Sequence, residues 1–119
     1  MRMNSKNSSI KARLEQERKQ AKHADFFFAD FIISSHLTRK SPVFIIGDSD
    51  EQDVVVCKCT SHPARNEYDI KVELKKTTSV RTNKIYTISR DQLLFKIPQT
   101  ANQEEYTKII EMLAKALHM

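Results

Sequence analysis

Glycine is nearly absent: the 119-residue chain has one, Gly47. A P-loop or a Rossmann turn needs several glycines close together, so that backbone N–H groups can approach a pyrophosphate, and nucleotide chemistry of those kinds is excluded. The same scarcity leaves Ser34, Ser35, Ser41, Ser49 and Ser61 without the flanking glycines of a nucleophile elbow. Tryptophan is missing, and the two cysteines, Cys57 and Cys59, stand so close in sequence that a mutual disulfide would be badly strained. They do not make the framework of a small secreted domain. A zinc site built from Cys57, Cys59 and His62 matches no structural zinc signature, and the reading assigns no metal and no cofactor. Long apolar runs are lacking too. The greasiest stretch, DFFFADFII, is interrupted by Asp30 and falls short of the roughly 18 apolar residues of a membrane span. The basic start, MRMNSKNSSIKARLEQERKQAKH, leads into no clean apolar segment with a small-residue cleavage site. The expectation is therefore a cytoplasmic protein without membrane association.

Charge is plentiful and unevenly spread. The formal net charge of +5 resides in residues 1–24, where seven basic residues meet only Glu15 and Glu17, and the rest of the chain is balanced. Within that balanced part Lys71, Lys75, Lys76, Arg81, Lys84, Arg90 and Lys96 face only Glu73 and Asp91, while Asp48, Asp50, Glu51 and Asp53 crowd one short segment. Such a division suits an anionic partner on one side.

The length fits one packed domain with an appendage. Residues 1–23 read as a basic, partly helical extension: a frayed MRMNSKNSS, then a helix capped by Ser9 and running to about residue 23. With only Ile10, Leu14, Ala21 and Ala12 as apolar contacts, that helix has little to dock with. Residues 24–119 form the domain proper. DFFFADFII, PVFIIGD, DVVVCKCT, YDIKVELK and KIYTI are rich in β-branched and aromatic residues and read as five strands. In DIKVELK, Ile70, Val72 and Leu74 alternate with Lys71, Glu73 and Lys75, whereas VFII and VVVC are continuous apolar runs of central strands. SSHLTRKS, GDSDEQ and SHPARNE read as the polar loops between them. Ser89 and Gln92 form a capping box for a short helix over DQLLFKI, stopped by Pro98. Asn102 and Glu105 form a second box for a terminal helix with Tyr106, Ile109, Ile110, Leu113 and Leu117 on one face, and Lys115 and His118 near its negative end. The class is α+β, mainly β: a small, strongly curved antiparallel sheet or barrel with an N-terminal helical extension and a C-terminal amphipathic helix.

Chemistry concentrates at one place. Thr60, Ser61 and His62 end the VVVC strand, and Arg39, Lys40 and Ser41 precede PVFII; if those strands are neighbours, hydroxyls and cations converge on one phosphate. His36 and His62 fall beside strand ends and are the candidate general bases among the four histidines.

ADFFFADF, KSPVFIIG, VVVCKCTSHP and TSVRTNKIYTISRDQL, in that order, resemble the MazF/PemK (Kid) toxins of type II toxin–antitoxin systems, over residues 24 to about 117. Ala24 stands where that family opens its first strand with Gly, Ser41 stands where it has an Arg before Pro42, Val56–Ser61 match its strand end, and Thr78–Ile88 match its S-x-V-R-x-[DN]-K segment. The resemblance implies a compact, SH3-like antiparallel barrel with appended helices, and a homodimeric, metal-independent endoribonuclease that cuts single-stranded RNA at short sequences. The ribose 2′-hydroxyl attacks the adjacent phosphate, leaving a cyclic phosphate and a 5′-hydroxyl, and an antitoxin protein silences the enzyme. Thr60 is implied as a catalytic contact. Position 41, with Arg39 or Lys40 reaching in for the missing guanidinium, is implied as another. Ser61, His62, His36, Lys71, Lys75, Arg81 and Lys84 are candidates for holding RNA. Ser41 also leaves open a catalytically weakened module that binds RNA or protein, and a gyrase-directed toxin like CcdB is a further alternative.

Overall fold

The computed structural model describes residues 5–119 of the chain. Helix α1 spans Ser5–Lys19, followed by strands β1 Phe26–Ser34, β2 Leu37–Gly47, β3 Asp53–Thr60, β4 Asp69–Glu73 and β5 Thr77–Ser89. A 3₁₀ turn at Arg90–Gln92 leads into β6 Leu93–Ile97, and α2 spans Gln103–Ala116. All strand pairs are antiparallel and the order across the sheet is β4-β5-β3-β2-β1-β6. This is the α+β class with the antiparallel topology expected, with β2 and β3 in the middle; the hydrogen-bonded sheet itself stays open, β4 and β6 being its edges.

Both faces of this sheet are covered, which is why its central strands are apolar without alternation. Phe27, Ala29, Phe31, Val43, Ile45, Val54, Val56 and Ile88 point to one face, where they pack with Leu93 and with Ala21 from the segment after α1. Phe26, Phe44, Cys57, Cys59, Val72 and Val80 point to the other, where α2 covers them through Ile109, with Tyr106 and Leu113 partly buried beside it. Successive residues of one run thus serve two cores. The Asn102–Glu105 capping box forms in both directions and starts α2 where the sequence places it. Leu117, at the end of the expected stripe, is left 47% exposed.

Four expectations are corrected. DQLLFKI is not a helix: the Ser89–Gln92 box closes a single 3₁₀ turn, after which Leu93–Ile97 pair with Phe26–Ala29 as an edge strand. Five residues whose partners lie far away in sequence gain more from a ladder than from one isolated helical turn. The strand at KIYTI begins seven residues earlier, at Thr77, because TTSVR pairs with β4 on one side and β3 on the other. The loop at SSHLTRKS is only a tight turn at Ser35–His36, so Arg39, Lys40 and Ser41 lie on β2. Finally, α1 starts before Ser9 and ends at Lys19, short of residue 23. The expected fraying therefore does not extend over Ser5–Ser9, and its Met1–Asn4 part lies outside the described residues.

Candidate functional site

Polar residues replace apolar ones where one sheet face runs beyond its core. On β2 the face of Val43 and Ile45 continues outward as Ser41 and Arg39; on β3 the face of Val54 and Val56 continues as Lys58 and Thr60. These strands pair through Val43↔Lys58, so the four side chains meet at one end of the sheet. A third strand joins by a bulge. The ladder between β3 and β5 jumps from Cys57↔Ile85 to Cys59↔Val80, so Arg81–Lys84 are looped out opposite Lys58. A bulge bends its strand and re-aims its side chains, and here Arg81 joins the same cleft.

The cleft encloses about 250 Å³, with Arg39, Lys40, Lys58 and Arg81 as its charged lining and no carboxylate among them. Ser41, Thr60, Ser61 and His62 supply the hydroxyls and the imidazole. Asp69, the acid nearest Arg81, is fully buried and engaged elsewhere: Arg65 donates to both of its oxygens, at 2.8 and 3.0 Å, while Arg81 Nε stays at 3.9 Å. The hydrogen bond from Arg65 holds the Asp69 carboxyl below the ordinary carboxylate range. The Lys58 ammonium lies 5.8 Å above the Phe31 ring. Burial first, then the charges of Arg39, Arg81 and Lys84, lower its proton affinity below that of an ordinary lysine. Burial and neighbouring cations both disfavour a protonated ammonium, and the cleft carries a positive field.

The hydroxyls differ in what they can give. Ser41 is buried and its Oγ donates to the Cys59 carbonyl at 2.8 Å, so its proton serves the fold. Thr60 Oγ1 accepts the His62 amide at 3.2 Å, and Ser79 Oγ donates to the His62 carbonyl at 3.1 Å. This turn pins the end of β3 and leaves the Thr60 proton available to an acceptor in the cleft. Cys57 and Cys59 point to the opposite face. Burial pushes the Cys57 thiol up to about 12 and the Cys59 thiol well above its ordinary value, so both remain protonated core residues. Among the described residues no three His, Cys, Asp or Glu side chains are grouped to hold a metal.

A larger cleft of about 820 Å³ adjoins, sharing Lys40, Pro42 and Ser61. Phe28, Phe95, Leu74 and Ile97 line it, with Lys75 and Lys76 beside them. The Phe28 and Phe95 rings stack at 5.3 Å, and Phe95 is 47% exposed.

Of the residues singled out from sequence, Arg39, Lys40, Ser41, Thr60, Ser61, His62 and Arg81 come together, and Lys75 borders the larger cleft. His36, Lys71 and Lys84 line neither. His36 is exposed in the β1–β2 turn, Lys71 pairs with Glu73 at 3.5 Å, and Lys84 reaches the cleft only through its field on Lys58. Lys58 itself was not singled out. Its signal is visible in VVVCKCT, where one lysine breaks an apolar run on the face of Thr60.

A six-stranded antiparallel sheet with a terminal helix over one face and a cationic, hydroxyl-bearing cleft at one end defines a small α+β protein. No protein-family model and no curated protein sequence matches the chain. Solved structures do. An endoribonuclease from a Mycobacterial species shares 18% identity at a TM-score of 0.68, over 83% of this chain and 92% of that one. The crystal structure of MazE–MazF from Deinococcus radiodurans gives 11% identity and a TM-score of 0.72, over 83% and 97%. The Mycobacterium tuberculosis toxin MazF-mt6 gives 15% and 0.62, over 80% and 97%. The chain has the fold of the MazF endoribonuclease toxins.

Proposed function

We propose that the protein is a toxin of the MazF type, an endoribonuclease that cuts single-stranded RNA at selected sequences without a metal and is neutralised by a cognate antitoxin. The observation that supports this most is the Thr60 hydroxyl, with its proton free, in a cleft whose charged lining is four cations and no acid. In the proposed reaction the 2′-hydroxyl oxygen attacks the adjacent phosphorus as the bond to the 5′-oxygen breaks. His62, the histidine of this cleft, takes the 2′ proton; a water molecule gives a proton to the leaving 5′-oxygen and regains one from the His62 imidazolium, giving a cyclic phosphate and a 5′-hydroxyl. Thr60 and Arg39 stabilise the charge that develops on the non-bridging oxygens, where each such donor is worth about 10²-fold or more in rate. Arg39, on the face of Ser41 and Thr60, is better placed for this than Lys40, whose opposite parity sets it on the ridge between the two clefts.

The larger cleft, apolar at Phe28, Phe95 and Leu74 and basic at Lys40, Lys75 and Lys76, suits an acidic segment with apolar anchors, which is how the antitoxin would block RNA. Three of the similar structures are complexes, one of an endoribonuclease with its cognate antitoxin and two of MazE–MazF. A homodimer acting in the cytoplasm, with residues 1–23 as an appendage to the domain at 24–119, belongs to the same proposal.

The test is incubation of the purified chain with mixed-sequence single-stranded RNA in EDTA, beside Thr60→Ala, with product ends read by mass spectrometry. Cyclic-phosphate ends from the wild type, formed at least about 10²-fold more slowly by the variant, are expected. Uncut RNA would overturn the enzymatic reading. The buried Ser41, its proton given to Cys59, favours a second reading in that event, a binding module that lacks cleavage; salt-sensitive RNA affinity without products would select it.

A further inference from the structure

Lys58 interrupts an otherwise apolar face of β3 and reaches the cleft. Its side chain is half-buried between the strands of Arg39 and Arg81, and among the described residues its ammonium has neither a carboxylate within ion-pair distance nor a hydrogen-bond acceptor. Only the Phe31 ring, 5.8 Å away, faces it. An apolar residue would suit this position on a sheet face otherwise filled by Val54 and Val56. A cation without an ion-pair partner, set in the wall of a cleft whose charged lining is all positive, is placed to meet an anionic ligand.

The geometry says which ligand atoms. Lys58 and Thr60 are two residues apart on one face, about 7 Å along the strand, and the Val43↔Lys58 register sets Ser41 beside Thr60 on the neighbouring strand, with Arg39 two residues further along the same face. Thr60 therefore lies between the two cations, whose long side chains line the same cleft from either side of its hydroxyl, an arrangement that suits one phosphate. The remaining cations are less free: Arg81 has Asp69 at 3.9 Å, and Lys40 sits on the ridge toward the larger cleft. We propose that the Lys58 ammonium contacts the phosphate that is cut, supplying with Arg39 the positive charge that Ser41 does not. This rests on the ribonuclease reading above. The field of Arg39, Arg81 and Lys84 that weakens proton binding at Lys58 is relieved once an anion enters.

Lys58→Met keeps the stem over Phe31 and removes the charge; Lys58→Arg keeps the charge; Lys108→Met, on the exposed face of α2, is the control. Three quantities are compared with the wild type: the cleavage rate, the salt slope of binding to a 2′-O-methyl RNA that cannot be cut, and the melting temperature. Lys58→Met is expected to cleave about 10²-fold more slowly and to lose about 0.7 from its salt slope, while melting no lower than the wild type. Lys58→Arg recovers the slope and Lys108→Met changes nothing. Cleavage by Lys58→Met within threefold of the wild type, or an unchanged salt slope, would overturn the proposal while leaving the ribonuclease reading intact. If the wild type binds RNA but cuts none, the ribonuclease reading fails and the slope still decides whether Lys58 meets a phosphate. If the wild type binds no RNA, both fall.

Discussion

Ala24 adopts φ 76°, in the left-handed region that glycine occupies freely and alanine at a cost. The strain has a purpose: Ala24 N donates to the Ile45 carbonyl at 2.8 Å and the Ile45 amide to Asp25, so the chain must turn sharply here to enter β1 alongside β2. The motif comparison had already marked this position as one where a glycine is usual, although nothing in the residue itself predicts a positive φ. Ala24→Gly is expected to stabilise the protein by about 0.5–1 kcal/mol, relief of strain outweighing the entropy of the freer unfolded chain. The matching rise in melting temperature is about 2–5 °C. An unchanged or lower value would mean that the left-handed turn is not strained. Other single residues were legible to different degrees. The cysteines, whose spacing suits neither a disulfide nor a zinc signature, are buried in the core. Lys58 escaped notice because a lone lysine in a strand is ordinarily solvent chemistry, and only its neighbours on β2 and β5 make it a site.

At the scale of elements, α1 shows what composition cannot. Its apolar content is too poor to dock it hydrophobically, and Ile10 is indeed 41% exposed. It is fastened instead by guanidinium groups. Arg18 donates to the carbonyls of Leu93 and Leu94. Arg90, only 7% exposed, donates to the carbonyls of Arg18, Lys19 and Ala21 at the end of α1 and to those of Asp48 and Asp50 in the β2–β3 loop. One cation thus satisfies orphan carbonyls at the negative end of a helix and ties two segments together. Arg90→Met should cost about 2–4 kcal/mol, because it leaves several carbonyls without donors in a water-poor place. Amide exchange across residues 16–19 should accelerate beyond the global change. Uniform exchange throughout the chain would place the contribution in general packing. Arg90→Lys is expected to rescue little, since an ammonium cannot span both segments as a planar fork does. Elsewhere local signals sufficed for α2, with its capping box and apolar face, and for β2 and β3, with their continuous apolar runs. They failed for β6, whose pairing partner lies more than sixty residues away, between Phe26 and Ala29.

For the molecule as a whole, charge acts by placement. The net charge of residues 25–119 is zero, yet the charged residues lining the cleft at the sheet end are all cations, while Asp69 is held by Arg65 outside it. That pair also sets the response to acid. The native carboxyl of Asp69 titrates below its unfolded value near 4, so its contribution is complete above that value and is lost as pH falls through the lower native one. Asp50, held low by the Gln52 and Asp53 amides, adds the same sign from the surface. Urea midpoints should therefore be flat near neutrality and fall below about pH 4. Asp69→Asn should cost only about 1–2 kcal/mol at pH 7, since Arg65 is 38% exposed and screened, and should flatten the acid limb. An acid limb as steep as that of the wild type would assign it to other carboxylates.

The sequence by itself determined the elements whose information is local. Strand-forming composition, two capping boxes and an apolar helix face specify an α+β antiparallel protein, and the lack of glycine rules out the nucleotide-binding loops. Even the ends of β2 and β3, where cations and hydroxyls gather, could be read as the place for an anion. Only the tertiary structure decided that β6 is a strand, that α1 is held by arginines, and that Lys58 and Arg81 join Thr60 while His36, Lys71 and Lys84 do not. Those outcomes depend on register, bulge and face. A shift of one residue on any strand would send each side chain to the opposite side of the sheet, and that choice is made by partners distant in the chain.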